Sequence, residues 1–266
     1  MAGRLRAEWR FFWALTAVNL SSAMEYRASF ISQIVGMFIN NGIYFVFWLI
    51  FFGQFGTVRG YNVGDVYLLF AVVALGFGLA LTFGANTGPN LAELIAQGRL
   101  DYYLVLPRPL LLHVICSRMG VSSIGDVLFG LTAFFFVGRL TLVDFGLFVT
   151  AGIASALIFA GFGVIVGSLA FYMGNAVYVS GQVANGMLTF ALYPHTLFSG
   201  MTRFMLYTLL PAAFVGAVPA QIVKTRDGML LLGVLGVAAL VWLLALGAFY
   251  YGLRRYESGS ALNVNV

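Results

Sequence analysis

Charged residues are distributed unevenly along this sequence, and several long stretches contain none. Residues 28–58, 66–92 and 145–202 lack Asp, Glu, Lys and Arg, and the last stretch is long enough for two membrane crossings. A charged side chain is costly at the centre of a bilayer, and one helical crossing takes roughly 20 apolar residues. The pattern therefore predicts an all-α integral membrane protein with six transmembrane helices, at 29–52, 66–86, 110–137, 145–171, 176–198 and 228–252.

The first 27 residues have an amphipathic pattern rather than a uniformly apolar one. Trp9 and Trp13 belong to a set of apolar residues at helical spacing, whereas Arg4 and Glu8 fall largely on the rest of the helix surface. An amphipathic helix of this kind lies in the membrane interface. We therefore predict an interfacial elbow helix at residues 1–27, before the first crossing.

The apolar segment 204–223 contains Pro211 and Pro219, so the pattern alone allows either a seventh crossing or a re-entrant hairpin. With six crossings and the N-terminus inside, eight basic residues fall on the inner side and five on the outer side. A seventh crossing would move Arg254 and Arg255 outside and reverse this bias. We therefore predict a re-entrant outer hairpin, with both termini cytoplasmic.

Composition supports a single transmembrane domain over residues 1–266. The chain is 61% hydrophobic and 9% charged, whereas a soluble domain is about 25% charged because water must wet its surface. The net charge of +5 suits contact with anionic lipid headgroups. A nucleic-acid partner is not expected, because the sequence contains no polar face that could carry a basic patch.

The residue patterns needed for nucleotide or metal chemistry are absent from the sequence. A P-loop requires a lysine after a glycine-rich turn, and the one lysine, Lys224, has no such turn before it. One cysteine, Cys116, and two distant histidines do not provide a metal-ligand cluster. We expect no catalytic residue, no metal site and no cofactor bound by this chain.

Two ionisable residues, Arg118 and Asp126, fall inside the third predicted span. On a continuous helix they would lie about 12 Å apart along the axis and on a similar face. An intramembrane ionisable group is a candidate functional residue. Two interpretations remain: a polar network completed by a cavity or a partner, or purely structural roles.

The polar segment 87–109 separates the second and third predicted spans on the inner side. Residues 89–97 form an amphipathic pattern that predicts a short helix, and Gly98 is the residue expected to end it. A stiff helix between two spans could carry force from a soluble partner into the membrane, although a solvated loop would also fit the pattern.

Motifs in this segment and near the C-terminal half resemble one family. The inner motif consists of Glu93, Gly98, Arg99, Leu100, Asp101, Leu104 and Pro107. The outer motif consists of Tyr193, Pro194, Phe198, Gly200, Arg203, Leu210, Pro211, Phe214 and Pro219, and the segment 25–27 resembles the family's entry to the first span. In order and spacing, these residues are similar to permease subunits of the type-2 export class of ATP-binding-cassette transporters.

The resemblance implies a coupling helix that docks on a separate ATPase, which would hold ATP and Mg²⁺. It also implies a second permease chain, identical or related, and a location in the plasma (inner) membrane, in contact with lipid. The expected function is export of an amphipathic, lipid-like or drug-like substrate by a subunit that is not itself an enzyme. Alternatives are an ion- or proton-coupled secondary transporter, for which no internal repeat is clear, and a membrane-embedded lipid enzyme, for which no reactive cluster is present.

Overall fold

The computed structural model describes residues 2–58, 60–137 and 141–257, without the side chains of residues 2, 4 and 5. Within these ranges the chain forms helices and no β-strand beyond an isolated bridge between Val58 and Tyr61. The α-helices are α1 Ala2–Ala23, α2 Arg27–Phe55, α3 Val63–Phe83, α4 Pro89–Ala96, α5 Asp101–Leu104, α6 Leu110–Cys116, α7 Ser123–Phe136, α8 Leu142–Gly167, α9 Ala170–Met173, α10 Val177–Ala191, α11 Gly200–Thr208, α12 Ala217–Thr225 and α13 Gly228–Leu253. The all-α prediction is confirmed.

Helices α3 and α8 form the centre of the bundle. Residues 68–75 of α3 are all buried, and they pack against α7 and α8. Two glycines on neighbouring helices allow this close approach: a Cβ on Gly76 would lie 2.6 Å from Ser155, and one on Gly130 would lie 2.7 Å from the Leu75 nitrogen. Small residues permit such backbone contacts between membrane helices.

Helices α2 and α13 lie at the periphery and expose large apolar side chains. Ile39, Ile43 and Ile50 of α2 are more than half exposed, as are Leu240 and Leu243 of α13. A helix that remains apolar on its outward face requires an apolar solvent. This surface fits a chain whose bundle is embedded in lipid.

Within the described residues, four helical runs are long and apolar enough to cross a membrane: 6–55, 63–83, 142–173 and 228–253. The pair of segments 200–208 and 211–225, bent by 60°, raises the number to five if it counts as one span. Helix α7, with 14 residues, is apolar but shorter. The count of six spans and the re-entrant character of 204–223 therefore stay predictions.

The third predicted span, 110–137, is not a continuous helix. Helix α6 ends at Cys116 and α7 begins at Ser123, with a break between them. In the break, the Arg118 carbonyl accepts a hydrogen bond from the Ala85 nitrogen at 3.1 Å, and the Gly120 nitrogen donates to the Leu81 carbonyl at 2.9 Å. These bonds to the end of α3 replace the helical bonds that a continuous span would make.

The N-terminal helix continues almost directly into α2. The run 6–55 is helical over 50 residues, apart from Tyr26, whose ψ of 74° is not helical. At 1.5 Å per residue it is about 75 Å long, far more than a hydrocarbon core of about 30 Å. Part of the run must therefore lie outside the hydrocarbon, although an elbow along the interface stays a prediction.

The connections between the long helices gather at two opposite ends of the bundle. At one end, α1 contacts α6, and α9 contacts both α4 and α13. We call this the α4 end. At the other end, which we call the Lys224 end, the Lys224 ammonium lies 2.6 Å from Asp65, and Arg226 binds Asp144. The α4 end contains the connections predicted to be inner, and the Lys224 end contains those predicted to be outer.

Candidate functional site

Helix α4 is fixed by signals in its own sequence. Gly88, with φ of 55°, precedes the helix, and Pro89 occupies its first position, where no amide donor is needed. After the helix, Gly98 has φ of 69°, and two bonds close the turn: Gly98 N to Ile95 O at 3.1 Å and Arg99 N to Leu94 O at 3.0 Å. This is a Schellman motif, which favours glycine at this position.

One face of α4 is buried in a cluster of apolar residues at the α4 end. Leu91 and Ala92 are fully buried, and Leu94 and Ile95 are nearly so. Their partners come from α6 and from the ends of α8, α9 and α13. Burial of a Leu or Ile side chain contributes about 1.5–3 kcal/mol relative to exposure. The helix is therefore held firmly to the bundle.

The start of the α4 segment lies in close contact with α8. The Gly88 nitrogen donates to the Gly163 carbonyl at 2.9 Å. A Cβ on Gly167 would lie 2.7 Å from the Gly88 oxygen and 2.8 Å from Cβ of Leu91. Gly163 and Gly167 are four residues apart, and the element that approaches them is the start of α4. Movement of α4 therefore bears directly on α8.

A hydrogen-bond network ties α4 to the helices that follow it. Asn86 donates from Nδ2 to the Val114 carbonyl at 3.0 Å and to the Ser117 hydroxyl at 2.8 Å. The Tyr103 hydroxyl lies 2.9 Å from the same Ser117 oxygen. Asn90 donates to the Ala85 carbonyl at 2.8 Å. The segment from α4 to α6 therefore forms one connected unit rather than a loose loop.

The polar face of α4 points away from the bundle. Oε1 of Glu93 accepts a hydrogen bond from Gln97 at 3.0 Å and lies 3.6 Å from Nη2 of Arg99, and both charged side chains are about half exposed. Gln97 is exposed, as is Pro107 at the end of the segment. These groups are available to a partner at the α4 end.

Two residues of the predicted coupling motif face the protein instead. Leu100 is fully buried. Asp101 interacts with Tyr256, which lies just beyond the end of α13. Burial of the Tyr256 hydroxyl is the main cause that raises its pKa to about 12, and the Asp101 carboxylate is the second. A cleft of about 430 Å³ beside α4 is lined by Glu93, Gln97, Arg255 and Tyr256 among others. The chain after α13 thus contributes to this surface, which the sequence pattern did not indicate.

The pair Arg118 and Asp126 is not arranged as predicted. Arg118 is exposed in the break between α6 and α7, whereas Asp126 is 3% exposed within α7. The prediction that they share one face of a continuous helix is wrong, because the break separates them. Within the described part of the chain, neither residue forms an ion pair. Asp126 instead accepts a hydrogen bond from Nδ2 of Asn41 on α2 at 2.6 Å.

The residues predicted for the outer hairpin lie at the Lys224 end. Tyr193 and Arg203 are exposed, and Pro194, Pro211 and Pro219 are buried. Pro211 begins a 3₁₀ helix, Pro211–Phe214, that separates α11 from α12.

Sequence reasoning missed the ion pair that follows α12. The Arg226 guanidinium donates two hydrogen bonds to Asp144, at 2.7 and 2.8 Å. The side chain of Asp144 is 1% exposed. The two residues are 82 positions apart, so no local pattern could have shown the pair.

These features define the class of protein: a helical membrane protein with a firmly packed amphipathic helix at one end of its bundle. The chain matches the family described as ABC-2 family transporter protein over residues 38–260, and it belongs to that family. It is thus an ABC-2 type permease, as the resemblance implied. No curated protein and no solved structure was found to match it.

Proposed function

We propose that this chain is the membrane-spanning subunit of an ATP-binding-cassette exporter, and that α4 receives movement from a separate ATPase. The observation that carries the proposal is the two-sided character of α4. Its apolar face is buried against the bundle, and its polar face, with Glu93 and Gln97, is exposed. An element of this kind can bind a soluble partner and pass on its displacement.

The path for that displacement follows from the contacts of α4. The start of α4 touches α8 at Gly163 and Gly167, and α8 packs against α3 and α13. Protein interiors are close-packed, so a shift at one contact moves its neighbours instead of being absorbed. ATP and Mg²⁺ would remain on the partner, and closure of its nucleotide sites would push α4 and rearrange the central helices.

The remaining features of the proposal follow the family. Two permease chains, identical or related, would form the path together. The exposed apolar surface of α2 is available to a second chain or to lipid. The substrate would be amphipathic, lipid-like or drug-like, and it would leave across the plasma membrane. Both termini and the α4 end would lie in the cytoplasm.

The test is a charge exchange on the exposed face of α4. The chain is purified together with its candidate ATP-binding-cassette ATPase partner, as wild type, as Glu93→Arg, as Arg99→Glu and as the double variant. The pair within the chain is a surface pair, which contributes about 0–1 kcal/mol, so all variants should fold. If the ATPase binds these charges, all three variants lose co-purification or coupled transport, because the double variant offers the partner an inverted pattern.

If the double variant recovered wild-type co-purification and coupled transport, Glu93 and Arg99 would act only on each other. That result would contradict docking of the ATPase on this face of α4. Gln54→Arg and Gln54→Glu are matched controls, because Gln54 is exposed near the end of α2 that leads to the Lys224 end. Both controls should leave co-purification unchanged.

A further inference from the structure

A cavity of about 300 Å³ lies between α2, α3, α7 and α10, near the middle of the long helices. On α2 it is lined by Asn40 and Asn41, which are 13 and 14 residues after Arg27, or about 20 Å along the helix. Phe55 lies as far beyond them in the other direction. These amides therefore lie far from both ends of α2, where polar residues are costly and tend to be functional.

Asp126 of α7 lines the same cavity and has an unmet hydrogen-bonding requirement. The residue is 3% exposed. Its Oδ1 accepts the 2.6 Å hydrogen bond from Asn41, but its Oδ2 has no hydrogen-bond partner among the described residues. A buried carboxylate without a compensating partner is strongly unfavourable. A hydrogen-bond donor or a positive charge at the second oxygen would satisfy this carboxylate.

The other lining residues indicate which kind of positive group would fit. Seven of the twelve residues that line the cavity are apolar. Two of these are Phe70 and Phe77, and Tyr44 adds a third ring. A divalent metal ion is not favoured here, because the lining contains one carboxylate and the described residues contain no group of three or more His, Cys, Asp or Glu that could hold a metal. An organic cation fits better, because aromatic faces attract its charge and apolar walls contact its body.

We propose that this cavity binds the protonated amine of an organic molecule, with Asp126 accepting hydrogen bonds from the ammonium group. Asn41 holds the carboxylate in place through its hydrogen bond, and Asn40 contributes a second amide group to the cavity lining. Within the proposed function, on which this inference rests, the cavity makes an amphipathic amine the preferred substrate. The same chemistry would accept the amine headgroup of a phospholipid.

The test measures binding alone, without the ATPase and without nucleotide. The purified permease is reconstituted in nanodiscs of phosphatidylcholine and phosphatidylglycerol, and binding of radiolabelled 4-phenylbutylamine is measured by scintillation proximity. We expect saturable binding that 4-phenylbutanol, of similar size but neutral, does not displace. Asp126→Asn keeps the contact with Asn41 but loses the charge, and it should weaken binding at least tenfold.

Two further variants make the result independent of folding defects. Thr189→Phe places a larger side chain at the edge of the cavity from an exposed position on α10, and it should also reduce binding. Asp227→Asn removes a carboxylate at the Lys224 end, where Asn can cap α13 equally well, and it should bind like wild type. The binding assay is repeated in discs that contain phosphatidylethanolamine, to distinguish a lipid headgroup from a free organic amine as the ligand. If the lipid displaces 4-phenylbutylamine, the cavity binds an amine headgroup; if it does not, the cavity binds a free amine.

Absence of saturable binding, equal displacement by the alcohol, or unchanged binding in Asp126→Asn would each overturn the inference. These outcomes are independent of the co-purification test, because that test depends on α4 and not on the cavity.

Discussion

The contact between α8 and the start of α4 can be tested by adding one methyl group. In Gly167→Ala the new Cβ would lie 2.7 Å from the Gly88 oxygen, whereas ordinary contact begins at 3.4 Å. The obstructing atom belongs to the backbone, so a side-chain rotation cannot relieve the clash. The start of α4 must therefore move away from α8 by about 0.7 Å, the shortfall from ordinary contact.

The expected magnitude follows from overpacking. Insertion of an extra methyl group into a well-packed site costs about 1–3 kcal/mol. Replacement of glycine by alanine within a helix also stabilises the folded state by about 0.5–1 kcal/mol, which partly offsets the overpacking cost. Gly146→Ala, on the same helix, is the matched control, because its Cβ would have nothing within 4 Å. The difference between the two variants isolates the overpacking cost.

The assay is the temperature at which half of the detergent-solubilised protein remains monodisperse on size-exclusion chromatography. Gly167→Ala should denature at a lower temperature than wild type, and Gly146→Ala at the same or a higher temperature. Gly167→Ala that still binds the ATPase should hydrolyse ATP but transport less. Equal denaturation temperatures for the two variants would refute the close contact between α8 and α4.

Two further predictions concern the two ends of the bundle. Burial and the Asp101 carboxylate raise the pKa of Tyr256 from its ordinary value of 10.0 to about 12. The ionisation of Tyr256 should therefore leave the stability of the fold unchanged below pH 10 and lower it as the pH rises toward 12. Tyr256→Phe should remove this group's part of the decline in denaturation temperature that is measured between pH 10 and 12. At the Lys224 end, Arg226→Gln removes the guanidinium that donates two hydrogen bonds to the buried Asp144 carboxylate. The Arg226→Gln protein should therefore denature at a lower temperature than the double variant Arg226→Gln/Asp144→Asn, in which that buried charge is also removed. Equal denaturation temperatures for the single and double variants would show that the Asp144 charge costs nothing without Arg226, which would contradict the prediction.

Local signals in the sequence were informative where a structure depends on nearby residues. The turn after α4 needs a left-handed residue, and Gly98 supplies it. The helix therefore ends close to where the pattern predicted, because glycine is the residue that adopts this conformation without strain. The long apolar runs coincide with helices α2, α3, α8 and α13, whose bounds lie within a few residues of the predicted ones, and their membrane crossings stay predictions.

The sequence was misleading where tertiary contacts replace local ones. The apolar run 110–137 predicted one span, but the break at 117–122 is stabilised by hydrogen bonds to the end of α3. Asn41 and Asp126 are 85 positions apart, and no periodic pattern could have shown that they meet. The same holds for Tyr256 and Asp101, which come together only because α13 returns to the α4 end.

The most direct test of the central claim is a photo-crosslink from the polar face of α4. A benzoylphenylalanine residue is placed at the exposed position 97, and separately at the exposed position 54 as a control, and the complex with the ATPase is irradiated. If the ATPase docks on α4 and passes its movement on through this helix, irradiation should give a covalent product between position 97 and the ATPase. Position 54 should give none. A product from position 54 alone, with none from position 97 in a complex that still co-purifies, would contradict the account.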